Sequence, residues 1–78
     1  MNITNLQQPE MYPYMWTMDI DETPWIYVVD RSEKRSILHT HFHSKEQWLY
    51  LALPGVVPLT NENYKEVIIK FLKILILQ

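Results

Sequence analysis

The residues best suited to chemistry are three histidines at alternate positions, His39, His41 and His43, in the stretch SILHTHFHSKEQW. Imidazoles ligate divalent metals, act as general acids and bases, and change charge near pH ~6.5. Alternate residues of a strand stand about 6.6 Å apart, so His39 with His41, or His41 with His43, is spaced to chelate one ion. His39 and His43 are about 13 Å apart along a straight strand, too far for both to hold an ion through bonds of ~2.1 Å. A two-histidine site needs a further ligand, and Glu46, just past the strand, is the nearest in sequence. The candidate metal set is therefore His39, His41, His43 and Glu46, and zinc is the cofactor it would take.

A second arrangement uses carboxylates. If the strands pair as their loops imply, Asp19 lies across Ile26 from His39, and Asp21 lies level with His41. Two strand spacings, about 9.6 Å, separate each acid from its imidazole, a gap for a small ligand rather than one ion. Both readings compete with a plainer one, which is favoured. Histidine is polar enough for a solvated strand face and bulky enough for β structure. Such a face would respond to acidification, because neighbouring imidazoles repel once protonated.

The string also resembles, over five residues, the His-φ-His-φ-His-φ-φ motif of the histidine-triad nucleotide hydrolases, where φ is apolar. Only Phe42 fills an apolar place; Thr40, Ser44 and Lys45 do not, and a single glycine cannot supply that family's phosphate contacts. Membership is rejected. No nucleophile elbow, P-loop, H-E-x-x-H or cysteine nucleophile is present. Catalysis is not expected.

The elements that must position these residues follow from alternation and turn chemistry. Seventy-eight residues make one small domain, and with no cysteine it must rely on its apolar content, 47% of residues. Residues 1–13, with Pro9 and Pro13, read as an extended N-terminal arm, and residues 14–78 as a single small α+β domain. In YMWTMDID, Tyr14, Trp16, Met18 and Ile20 alternate with polar residues, which predicts a strand over about 14–21. WIYVVD predicts a second strand over 25–30, and SILHTHFH a third over 36–43. Four-residue loops at 21–24 and 31–34 would pair Ile20 with Trp25 and Val29 with Ser36. Trp16, Met18, Ile20, Trp25, Tyr27, Val29, Leu38 and Phe42 then share the core face of a three-stranded antiparallel β-meander, with the histidines, Ile26, Val28 and Ile37 outward.

Ser44 with Gln47 reads as a capping box opening a short helix over about 45–53, ended by Pro54 and Gly55. Thr60 caps a longer C-terminal helix over about 61–77. The apolar arc of that helix exceeds the ~100° that packing on one small sheet requires. The surplus is expected to meet the short helix, a second copy of the chain in a homodimer, or another partner.

These features point to a non-catalytic protein–protein interaction module, a small adaptor, inhibitor or regulator that binds a larger partner. The alternative is a histidine-rich sheet face binding a divalent metal or small ligand. Candidate interface residues are Tyr12, Tyr14, Ile69, Ile76 and Leu77. A net charge of −2 with scattered Lys and Arg disfavours duplex nucleic acid. The apolar run of the last helix is too short to span a bilayer. The opening residues lack a signal-peptide pattern, so a cytoplasmic protein is the expectation.

Overall fold

The computed structural model describes residues 2–42 and 47–76, with residues 41, 42, 47, 48, 75 and 76 described by backbone alone. Five strands run β1 (Ile3–Gln7), β2 (Met15–Ile20), β3 (Thr23–Asp30), β4 (Arg35–Phe42) and β5 (Gln47–Pro54), followed by one helix, α1 (Tyr64–Ile76). They form a single antiparallel sheet in the order β1-β2-β3-β4-β5, with α1 packed on one face. The class is α+β. The three-stranded meander with two helices is not what forms.

Two segments account for the difference. Of residues 45–53, expected to be helical, 47–53 belong to β5, which pairs along β4 from Arg35↔Pro54 to Phe42↔Gln47, and 45 and 46 lie outside the described residues. The segment QWLYLALP carries both periods. Leu49, Leu51 and Leu53 alternate as a strand face, while their wider spacing with Trp48 and Ala52 also fits a helix. The unpaired edge of β4 favours the strand, since its backbone groups need partners. The capping box proposed for Ser44 and Gln47 has no helix to cap; Ser44 itself lies outside the described residues.

The N-terminal arm contains the other new strand. β1 pairs with β2 through Ile3↔Ile20 and Thr4↔Asp19, then shifts to Gln7↔Thr17. One extra residue is accommodated there, and Asn5 adopts a left-handed φ of 57°. The bulge hides the strand from a search for alternation, because Ile3 and Leu6, three apart, both pack against the core.

Turn chemistry corrects one register. Asp21 and Glu22 both have positive φ, 49° and 70°, and form a two-residue turn with Ile20↔Thr23 paired, rather than a four-residue loop with Ile20↔Trp25. The slip is two residues, so the described side chains of β2, β3 and β4 keep their expected faces. The second hairpin has the expected register, Val29↔Ser36.

The core forms between the sheet and α1. Trp16, Met18, Ile20, Trp25, Tyr27, Val29, Leu38 and Leu51 from the sheet meet Leu59, Ile68, Phe71 and Leu72. Tyr27 is fully buried, with its ring edge-on to Trp16 at 5.8 Å and to Phe71 at 5.6 Å, so it joins sheet to helix. Its hydroxyl donates to the Val57 carbonyl at 2.6 Å. The linker before α1 is held a second way. Ser36 Oγ donates to the Gly55 carbonyl at 2.7 Å and accepts from the Val57 amide at 3.2 Å. The capping box expected at Thr60 forms, but it closes a turn over residues 61–63, and α1 starts at Tyr64 rather than at about 61: Thr60 Oγ1 accepts from the Asn63 amide at 3.0 Å, and Asn63 Oδ1 accepts from the Thr60 amide at 2.7 Å.

Candidate functional site

α1 covers one face of the sheet, so the candidate site is the other. The registers set its neighbours. Met15, Val28, Ile37 and Ala52 form one row across β2 to β5, and Thr17, Ile26, His39 and Tyr50 form the next. Their sequence neighbours Trp16, Tyr27, Leu38 and Leu51 belong to the core, which turns both rows outward. Ile37 is 5% exposed although it lies outside the core cluster. Val28 and Ala52 flank it across the strands, and His39 follows on the same face. Tyr50, on the last strand, is 55% exposed. The face is thus an apolar centre with aromatic and polar residues toward its ends.

His39 sits in the second row, half-buried, its ring 5.8 Å from that of Tyr50 with the planes 33° apart. Desolvation lowers its pKa from the ordinary imidazole value, since burial penalises the cation. His41 follows on β4 at the register position of Trp48. His43 and Glu46, the other two proposed metal ligands, lie outside the described residues. Among the described residues no group of three or more His, Asp or Glu side chains has metal-site geometry.

The acid–imidazole pairing is redrawn by the two-residue turn. Across Ile26 from His39 stands Thr17, not Asp19. Asp19 instead pairs with Pro24, and its Oδ2 accepts from Asn5 Nδ2 at 2.7 Å. Asp21 lies in the turn, where its Oδ1 accepts from the Asn2 amide at 2.8 Å. Both carboxylates serve to dock β1. A shallow depression beside them is lined by Asn5, Gln7, Thr17, Asp19, Pro24 and Ile26, and the described imidazole, His39, does not line it.

The proposed interface residues fall in separate places. Tyr12 and Tyr14 precede β2 and are 57% and 40% exposed. Arg31 donates to the Tyr14 hydroxyl at 2.7 Å, and its guanidinium lies 5.0 Å from that ring's centre. Ile69 is exposed on α1, where Ile68, Phe71 and Leu72 are buried. Ile76 ends the helix and Leu77 lies outside the described residues. The segment expected to cover the spare flank of α1 as a short helix contributes strand β5 instead.

Met15, Tyr50 and Ala52 were not among the sequence candidates for this surface. Their signal was present in the alternation Trp48, Tyr50, Ala52 against Leu49, Leu51, Leu53, which a helical reading of 45–53 obscures. Among the described residues no helix is long and apolar enough to cross a membrane. No protein-family model, curated protein or solved structure matches the chain.

Proposed function

We propose that the protein is a non-catalytic interaction module, acting as an adaptor, inhibitor or regulator by docking the outer face of its sheet onto a larger protein. One observation carries the reading. Met15, Ile26 and Val28, partly buried, and exposed Ala52 and Tyr50 surround buried Ile37 on a sheet face over which no described helix packs. Partly exposed apolar side chains beside an exposed aromatic ring are the composition of an interface centre. His39 lies in the same surface as a polar group already partly desolvated by its neighbours.

The test is site-directed crosslinking in the native host, comparing wild type with Val28→Glu and with Lys65→Glu as a control on the exposed side of α1. A partner captured by wild type and by Lys65→Glu, but lost with Val28→Glu while circular dichroism is unchanged, supports the reading. Capture that ignores Val28→Glu and responds to Lys65→Glu moves the function to the helix side and overturns it.

A further inference from the structure

The two edges of the sheet are unlike. β1 is five residues long, shifts register at its bulge and places Asn5 in the left-handed region. Those are devices that discourage a further strand from pairing. β5 has eight residues, QWLYLALP, with no charge, no left-handed residue and an unbroken register along β4. It is the last strand of the sheet.

Its hydrogen-bonding phase can be derived. The Gly55 amide donates to the Lys34 carbonyl at 2.9 Å, which continues the β4–β5 register as a hydrogen-bonded pair. Alternation then turns the backbone groups of Leu53, Leu51, Leu49 and Gln47 toward β4. Those of Trp48, Tyr50 and Ala52 point away from the sheet, as does the nitrogen of Pro54. Proline is tolerated in a strand where its missing N–H would face outward, so its position agrees with this phase. Three consecutive outward residues with both donor and acceptor are left at the edge.

We infer that β5 joins a second copy of this chain, antiparallel to itself about a two-fold axis at Tyr50, making a continuous ten-stranded sheet. The inference concerns the sheet edge and does not rest on the docking role proposed for the face. Pairing Tyr50 with Tyr50 of the second copy, and Trp48 with Ala52, satisfies all six outward groups on each copy. A shift of the axis to Leu51 would set Trp48 against Pro54, which has no N–H, and leave the Trp48 carbonyl without a donor. An uncharged strand meets its own copy without like-charge repulsion, which a self-complementary contact requires. The two-fold axis is normal to the sheet, so both copies of α1 fall on the same face. A cysteine-free domain of 78 residues has a small core, and dimerisation is a common way to enlarge it.

The absence of cysteine makes the register directly testable. In a hydrogen-bonded antiparallel pair the facing Cα atoms are about 5.5 Å apart, within disulfide reach. Tyr50→Cys should therefore crosslink to itself under mild oxidation. Ala52→Cys should not, since the two positions 52 stand four residues, about 14 Å, out of register. In sedimentation, wild type should be dimeric at tens of micromolar. Ala52→Pro, which removes an outward N–H, and Tyr50→Lys, which sets two charges face to face, should each raise the dimer Kd at least tenfold. Asn5→Lys, on the other edge, should leave it unchanged. A wild-type monomer at 100 µM overturns the inference. So does a dimer that Ala52→Pro and Tyr50→Lys leave intact, or one in which Ala52→Cys crosslinks as readily as Tyr50→Cys.

Discussion

The linker between β5 and α1 gives the sharpest prediction about how the sheet holds its helix. Ser36 is 1% exposed, and its hydroxyl both donates to Gly55 and accepts from Val57. Ser36→Ala removes two hydrogen bonds at once and leaves a carbonyl and an amide to find water. Each bond contributes ~0.5–1.5 kcal/mol net, so the loss is about 1–3 kcal/mol. Val57 is itself 38% exposed, and solvent replaces part of what is lost there. The expected cost is then near ~1.5 kcal/mol, in the lower half of that range. For a chain of this size each kcal/mol lowers Tm by roughly 4–8 °C, so a drop on the order of 10 °C is expected. Trp16 and Trp25 are buried and report unfolding by fluorescence during a urea titration. Ser32→Ala, in the exposed β3–β4 turn, serves as the control and should stay within about 0.5 kcal/mol of wild type. Because Tyr27 donates to the same Val57 residue, Tyr27→Phe should couple with Ser36→Ala rather than add to it. A midpoint for Ser36→Ala indistinguishable from that of Ser32→Ala would refute the idea that this clamp sets the helix.

Two further predictions concern titration and capping. His39 has its pKa lowered by desolvation, so above the unfolded value of about 6.5 both states are neutral and it has no effect on stability. Below that pH the unfolded chain takes the proton first, and stability should fall until the lower folded pKa is passed; urea midpoints at pH 7.5, 6.5 and 5.5 should decline, less steeply in His39→Gln. An equal slope in both proteins would remove His39 as the cause. Thr60→Ala breaks the reciprocal Thr60–Asn63 cap and should cost about 0.5–2 kcal/mol, with faster amide exchange confined to the turn at 61–63 and the start of α1.

What local pattern specifies and what distant pairing adds divide along a physical line. Alternation by itself determined which described side chains of β2, β3 and β4 face the core, even though the β2–β3 turn has two residues rather than four. A two-residue slip preserves the faces, so the core set Trp16, Met18, Trp25, Tyr27 and Leu38 was legible. The Thr60 cap and the single long helix after it were legible too, because capping chemistry is local.

What the sequence left open depended on partners distant in the chain. The segment 47–54 fits helix and strand alike, and only the unpaired backbone of β4 decides for the strand. β1 exists because β2 offers an edge, and the bulge at Asn5 lets a polar, non-alternating segment accept it. The two-residue turn at Asp21 and Glu22 then moved Asp19 away from His39 and toward Asn5, which undid the expected acid–imidazole pair. Local pattern set the inward face; the addition of two strands by backbone pairing set the outward face and its edges. Backbone hydrogen bonds carry no side-chain signature, so that part of the architecture became visible only in three dimensions.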